Sequence, residues 1–495
     1  MAMENDGRHE GRARRWTSIL AVQVAVASAA GVAYAHPYVP PPELPAPPMA
    51  PGAAKVAPAF QHEVWAIDQS NTAASLPGAS LDHGGRLYIY QADALRMKGA
   101  KAPVDVVELG GATAELCRRQ TAAHPVRPHM AAMTSSGSHA IVSFVASGHV
   151  VIFNAATRAP LACFRTEVGS ASARQAHAAV LTPDERYLLV ANQNGKKVER
   201  ISVDFARNIF LQEPKATIDL AAGLTPNGIA RQLPGVRPDN APICAFVPSS
   251  GFPAYVSLRG GGMLALDPYS TPMQIVAEYD LNTITGDGCG FAEGNGWVVG
   301  NGGSNLVNPN GWFVYRLPVA GPDLYRATNP PNTPAVDLLD RDLNGPRDSH
   351  GGAVTGGGKY VWVFDRVAQV AEVFEMKTGA KITTLNMRSS FSRQPAIDIA
   401  TVSPDGRFIY ATTRGPRPLS GAHASTGANP GVVVIELLQD GRSGVIRQLA
   451  PISNEVVEAN GLIERADPHA IVIRPVSKTV PRSTPFSRRA TVEAA

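Results

Sequence analysis

The chain has 495 residues, of which 44% are hydrophobic and 17% are charged, so its composition is that of a globular protein and excludes an intrinsically disordered one. Its 46 glycines and 41 prolines favour many short strands joined by turns over a helical bundle. A formal net charge of +4, with no dense stripe of lysine and arginine, argues against a nucleic-acid partner.

Residues 1–35 have the pattern of a signal peptide. The basic stretch RARR precedes an apolar run of small residues, and an A-x-A cleavage site ends at Ala35. We therefore expect a periplasmic or secreted protein with no membrane span after cleavage. His36 would then be the first residue of a proline-rich tether over residues 36–59. Its free amine and its imidazole could bind copper, or His36 could be a mature terminus with no further role.

The four cysteines are consistent with an oxidising compartment. Cys117, Cys163, Cys244 and Cys289 are far apart in the sequence and form no C-x-x-C pair, so a structural zinc site is not expected. The sequence favours one disulfide, with its connectivity open.

From about residue 60 the chain repeats a unit made of a polar residue, a short apolar strand, a turn and a second strand. Counting from His350, the turn falls six residues later at Gly356, and an aromatic residue opens the next strand ten residues later at Tyr360. The same spacing follows His177 and Asp398. Seven such positions, one in each unit, are His129, His177, Asn227, Cys289, His350, Asp398 and His469.

Successive units begin 48 to 71 residues apart. Propeller blades of four strands recur roughly every 40–50 residues, and longer intervals contain loop insertions. His469 opens a single strand near the C-terminus, and three N-terminal segments supply the strands that its blade lacks: 62–68, 84–91 and 104–109. The sequence therefore predicts an all-β, seven-bladed β-propeller over residues 60–476, with the last blade closed by N-terminal strands and a polar tail over residues 477–495.

The repeated segments LTPDERYLLVANQ and VSPDGRFIYATTR, together with TPNGIA and DPHAIVIRP, resemble the seven-bladed "YVTN" propellers. That group includes the lactonase-type and YncE-type proteins and the haem-d1 domain of nitrite reductases. The resemblance extends over about residues 60–476 and implies the propeller architecture. It implies little about chemistry, because this fold carries many activities.

In a propeller, the residue just before the first strand of each blade points into the mouth of the central channel. Four imidazoles that converge there suit a transition metal, and we expect copper or iron bound by His129, His177, His350 and His469. Asp398 is the candidate catalytic residue, as a general base or as a partner that fixes a histidine tautomer. The remaining candidate cofactor-binding residues are Asn227 and, as a soft ligand, Cys289. The predicted function is oxidation of a small organic molecule.

Other functions fit the same positions. A lactonase or esterase would hold a divalent cation such as calcium with carboxylate and amide oxygens, for which Asp398 and Asn227 are candidates. A non-covalent haem would take a channel histidine as its axial ligand, whereas covalent haem c is excluded by the absence of C-x-x-C-H. A propeller that only binds a ligand, with no catalysis, also agrees with the sequence.

Overall fold

Short runs of β-branched and aromatic residues form the strands. The segment Tyr360–Asp365, with the sequence YVWVFD, is typical: five of its six side chains are buried, since it lies inside a sheet that packs on both faces. The computed structural model describes residues 61–70, 84–169, 172–285, 288–303, 311–319, 325, 333–417, 425–457 and 463–476. The predicted signal peptide, tether and polar tail lie outside these residues.

The strands follow one another along the chain as consecutive antiparallel hairpins. The N-terminal strands are β1 (Gln61–Asp68), β2 (Arg86–Gln91) and β3 (Val104–Glu108). Blade 1 contains β4 (Pro128–Met133), β5 (His139–Phe144), β6 (His149–Asn154) and β7 (Pro160–Arg165). Blade 2 contains β8 (Ala176–Leu181), β9 (Tyr187–Asn192), β10 (Lys197–Asp204) and β11 (Ile209–Gln212), with the short β12 (Ile218–Asp219) also paired to β10.

The next four blades have the same four-stranded order. Blade 3 contains β13 (Pro242–Phe246), β14 (Ala254–Leu258), β15 (Met263–Asp267) and β16 (Gln274–Tyr279). Blade 4 contains β17 (Ala292–Gly294), β18 (Trp297–Gly302), β19 (Trp312–Pro318) and β20 (Asp337–Asp342). Blade 5 contains β21 (Ser349–Thr355), β22 (Tyr360–Asp365), β23 (Val370–Glu375) and β24 (Lys381–Asn386). Blade 6 contains β25 (Ile397–Val402), β26 (Phe408–Thr413), β27 (Gly431–Leu438) and β28 (Ser443–Pro451).

The seventh blade joins the two ends of the described chain. Its inner strand is β31 (Pro468–Val476), and the sheet order is β3-β2-β1-β31. In the antiparallel pair of β1 and β31, Trp65 lies opposite Val472. This arrangement confirms both the seven-bladed propeller and the prediction that N-terminal strands close the last blade.

Few other elements occur among the described residues. The helices are α1 (Ala92–Lys98) and α2 (Ala112–Thr121), and a two-stranded sheet consists of β29 (Glu455–Val457) and β30 (Ile463–Arg465). No helix in the described ranges is long and apolar enough to cross a membrane.

The apolar core lies between neighbouring blades. Trp65 and Ile67 of β1 pack with Phe144 and Phe153 of blade 1. The opposite face of the same sheet packs against blade 6, so the closing blade is held on both sides.

All four cysteines form disulfides, two in number where the sequence favoured one. Cys117 of α2 is bonded to Cys163 of β7. Cys244 of β13 is bonded to Cys289, and this second bond therefore links the inner strand of blade 3 to the segment just before β17 of blade 4.

Candidate metal centre in the central channel

A register shift recurs where the inner strand of a blade begins. In blade 1 the pairing between β4 and β5 slips between Pro128 and Ala131, so His129 falls within the shift. Such a bulge turns a side chain out of the regular alternation of a strand. The other shifts of this kind enclose His177, Ile243, His350, Asp398 and His469.

The four histidines from blades 1, 2, 5 and 7 form a row of contacts in the order His177, His129, His469 and His350. Among the described residues, two groups of three have ligand atoms that all lie within 4.8 Å of one another: His350, Asp398 and His469, and His177, Cys244 and Cys289. The Nε2 atoms of His129 and His177 are 3.2 Å apart. The ring centroids are 3.8 Å apart for His129 and His469, and 5.3 Å apart for His350 and His469. All four residues are between 1% and 7% exposed, so the cluster is closed to bulk water. The spacing of the repeat thus identified four side chains that do converge.

Neighbouring groups orient the rings of His129 and His177. The amide nitrogen of Gln69 donates to Asp467 at 3.3 Å, which leaves the amide oxygen of Gln69 to accept from Nδ1 of His129 at 2.8 Å. Nδ1 of His177 lies 3.9 Å from Sγ of Cys244, and the same ring hydrogen bonds to the backbone of Ile243. Partners of this kind on one ring nitrogen fix the tautomer and leave the other nitrogen as a ligand.

Burial favours the neutral form of His177 and His469. Loss of hydration lowers the pKa of His177 to about 4, against the opposing effect of its hydrogen bond to Ile243. Burial also lowers the pKa of His469 well below its usual value, and the nearby His350, Arg414 and Arg366 lower it further. A neutral imidazole offers a lone pair, which is the form that binds a metal ion.

A chain of buried charges runs beside the histidines through blades 5, 6 and 7. Arg366 contacts Asp348 at 2.7 Å and Asp398 at 2.8 Å. Arg414 contacts Asp398 at 3.1 Å and Asp467 at 2.6 Å. All five are at most 2% exposed. Along this row three carboxylates alternate with two guanidinium groups.

Asp398 connects the charge chain to the histidines. Its Oδ1 lies 3.4 Å from Nε2 of His350, and its Oδ2 lies 3.8 Å from Nε2 of His469. Burial raises the pKa of Asp398, while Arg366 and Arg414 oppose that shift. Each carboxylate oxygen of Asp398 also binds a guanidinium group.

Two predicted site residues have different surroundings from those expected. The structure places Asn227 on the surface, where its amide donates at 2.6 Å to Glu278 of β16, the outermost strand of blade 3. The prediction that Asn227 faces the channel is therefore wrong, and the corresponding residue of blade 3 is Ile243. Cys289 does begin blade 4, but its sulfur is bonded to Cys244 and offers no thiolate in this state.

Arg366, Arg414 and Asp467 complete the site, although no sequence argument selected them. A signal was present: the matching segments KYVWVFDR and RFIYATTR both end in an arginine, one residue after the second strand of the blade. An arginine at that position reaches toward the inner strand of the next blade. Asp467 directly precedes β31 and lies two residues before His469.

Comparisons with known proteins show no family for this chain. No protein-family model and no curated protein sequence matches the chain, so the similarity to "YVTN" propellers stays a prediction. Among solved structures, the Cps50 (Swd1) β-propeller domain of Myceliophteria thermophila is 9% identical with a TM-score of 0.45, over 67% of this chain and 87% of that domain.

Two further solved structures are similarly distant. A protein of Bacteroides uniformis assigned as a 6-phosphogluconolactonase is 13% identical with a TM-score of 0.37, over 81% of this chain and 87% of that protein. Hsv2 of Kluyveromyces lactis is 11% identical with a TM-score of 0.39, over 62% of this chain and 73% of that one.

Proposed function

We propose that His129, His177, His350 and His469 bind one transition metal ion, copper or iron, and that the protein oxidises a small organic molecule. The proposal includes export to the periplasm or the exterior, which is the expectation from residues 1–35.

The observation that carries the proposal is the pair of facing Nε2 atoms. They are 3.2 Å apart on His129 and His177, and Nδ1 of each ring faces a partner, the amide oxygen of Gln69 for His129 and Sγ of Cys244 for His177. Imidazole nitrogens bound tetrahedrally at about 2.0–2.1 Å from one metal ion lie about 3.3 Å from each other. The observed separation therefore matches two neighbouring ligands of one ion.

The donor atoms decide the class of metal. Imidazole nitrogen suits copper, iron, zinc and nickel, whereas calcium requires several oxygen ligands. Asn227 is on the surface and both oxygens of Asp398 bind arginine, which leaves few oxygens for calcium. The donor set therefore supports a transition metal better than the calcium ion of a lactonase. When bound, copper or iron would supply one-electron chemistry.

Metal analysis tests the proposal. The purified protein is incubated separately with copper, iron and zinc salts, freed of excess metal, and measured for metal per chain. We expect one retained ion of copper or iron, lost in the double variant His177→Ala/His350→Ala. His139→Gln serves as the control, because His139 is a buried histidine that bonds to Asn208 away from the channel.

Two outcomes would contradict different parts of the proposal. Failure of the wild type to retain any ion, or retention by the double variant, would exclude the four-histidine site. Retention of zinc alone, or of a copper or iron ion whose spectrum does not change with reductant, would leave the site in place and remove the oxidoreductase function.

A further inference from the structure

The disulfide between Cys244 and Cys289 lies against one of the site histidines. Sγ of Cys244 is 3.9 Å from Nδ1 of His177, and a ligand atom from each of the three residues lies within 4.8 Å of the others. Three blades supply this trio, since His177 belongs to β8, Cys244 to β13 and Cys289 to the segment before β17. Two sulfurs and an imidazole nitrogen are thus already held together.

The two disulfides differ in access to solvent. Cys117 is 0% exposed and Cys163 is 4% exposed, whereas Cys289 is partly exposed next to a buried Cys244. A small reductant therefore reaches Cys289 first. In the reaction, a dithiol gives two electrons and two protons to the S–S bond, becomes a disulfide itself, and leaves two thiols on the protein.

The reduced trio is a soft donor set. Two thiolates and one imidazole bind zinc, cadmium or copper(I) in preference to hard cations, and each thiol releases its proton when it becomes a ligand. Sites with two cysteines and one histidine leave a fourth position of a tetrahedral ion open.

The hydrogen bonds of His177 allow this second role. When Nδ1 of His177 becomes the ligand atom, the ring gives up its hydrogen bond to the backbone of Ile243, and the proton sits on Nε2 and is donated to Nε2 of His129 at 3.2 Å. His129 can accept it, because the Nδ1 proton of His129 is donated to Gln69. A neutral imidazole has one lone pair, so His177 serves the thiolate site or the four-histidine site, but not both.

We propose that reduction of Cys244–Cys289 opens a second metal site, formed by Cys244, Cys289 and His177, for a soft ion such as zinc, cadmium or copper(I). This site goes beyond the proposed function and does not require a metal in the four-histidine cluster.

Cadmium is the probe, because thiolate-to-cadmium charge transfer absorbs in the ultraviolet. The oxidised protein has no free thiol, so it should not give this band. The Cys117→Ser/Cys163→Ser variant leaves Cys244 and Cys289 as the remaining two of the four cysteines. After treatment with a trialkylphosphine, which takes up the oxygen of water as it reduces the disulfide, we expect one cadmium per chain and the thiolate band. Untreated protein should show no band, and the addition of His177→Ala should weaken cadmium binding at least tenfold.

A measurement on the wild type keeps the proposal testable if that variant does not fold. Graded reduction followed by alkylation and peptide mass spectrometry reports which cysteines react. We expect Cys244 and Cys289 to be labelled before Cys117 and Cys163, and cadmium to protect the first pair from labelling. Equal labelling of both pairs, no protection by cadmium, or a thiolate band that persists in Cys244→Ser/Cys289→Ser would overturn the proposal.

Discussion

Arg414 is buried between two carboxylates, Asp398 and Asp467, which together hold its pKa above the usual value despite the cost of burial. Replacement by methionine preserves much of the volume and removes the charge. Because two buried carboxylates then lose a partner, we expect Arg414→Met to lower the free energy of unfolding by about 3–5 kcal/mol. Urea denaturation followed by circular dichroism measures the change.

Arg118 provides the control for that substitution. It pairs with Glu115 on the exposed surface of α2, with more than half of its side chain in solvent. Exposed pairs of this kind contribute less than about 1 kcal/mol, so Arg118→Met should leave the midpoint nearly unchanged. A loss of similar size in both variants would mean that the buried charge chain has no special role in stability.

His149 makes the folded protein sensitive to acid. It is buried in contact with Thr121 and Ser147, and burial, followed by Arg165, Arg174 and His124, lowers its pKa from 6.5 to about 3. The unfolded chain therefore binds this proton at a higher pH than the folded chain. Stability contributed by neutral His149 is present above pH 6.5 and is lost as the pH falls toward 3, by about 1.4 kcal/mol for each pH unit.

Replacement of His149 by glutamine tests this dependence. Glutamine keeps hydrogen-bonding capacity and does not titrate. The slope of the unfolding free energy against pH between 6.5 and 4 should therefore be smaller than in the wild type by about 1.4 kcal/mol per pH unit, which corresponds to one proton. Urea titrations at a series of pH values give both slopes. Parallel slopes would show that His149 does not titrate differently in the folded and unfolded states.

The sequence identified the site residues that share a position in the repeat. It missed the residues that reach the site only through contacts between distant parts of the sequence. His129, His177, His350 and His469 follow a common spacing, so an alignment of the units finds them. The segment TPNGIA, a looser copy of the repeat, indicated Asn227, whereas blade 3 has Ile243 in the bulge. The partners of Asp398 lie 32 and 16 residues away on other strands, a distance at which sequence alone gives no pairing.

At the level of elements, a glycine allows the inner strands of blades 5 and 6 to approach. A Cβ atom on Gly351 of β21 would overlap the backbone oxygen of Asp398 in β25. The same approach brings the neighbouring His350 within 3.4 Å of Asp398. The glycines after His350 in the sequence therefore serve the contact between strands, beyond their role in turns.

The substitution Gly351→Ala should force these two strands apart. We expect a loss of about 1–3 kcal/mol in stability from overpacking, and weaker metal retention although no ligand has been removed. Gly345→Ala is the matched control, because a Cβ there meets nothing within 4 Å and its φ is not positive. Full metal retention by Gly351→Ala would show that the separation of β21 and β25 does not set the geometry of the site.

The elements themselves were predictable where the repeat was regular. The strands in KYVWVFDR and RFIYATTR lie within those segments, since β-branched and aromatic runs bounded by turns define them. Blade 3 was misread because the chain makes an excursion before β13 that contains its own turn, TPNG, with the appearance of a blade start. Local turn chemistry cannot distinguish an excursion from a blade.

At the level of the whole molecule, the ring depends on strands from opposite ends of the sequence. β1 lies between β2 and β31, and seven of its eight residues are buried. Closure was predictable, since a lone strand after His469 and three strands near the N-terminus together make one blade. It also protects the inner strand β31 from remaining an open edge.

Two truncated chains test this closure. Residues 61–476 retain every strand of the seven blades, and we expect a cooperative unfolding transition by circular dichroism and a monomeric elution volume.

Residues 71–476 lack β1, so β31 loses its partner and the core loses Val64, Trp65, Ala66 and Ile67. Each large apolar side chain contributes about 1.5–3 kcal/mol when buried, so this loss approaches the whole stability of a typical domain. We expect the shorter chain to aggregate, and addition of a peptide spanning residues 61–70 to restore the monomer. A shorter chain that unfolds cooperatively at the same midpoint would show that the N-terminal strand does not close the ring.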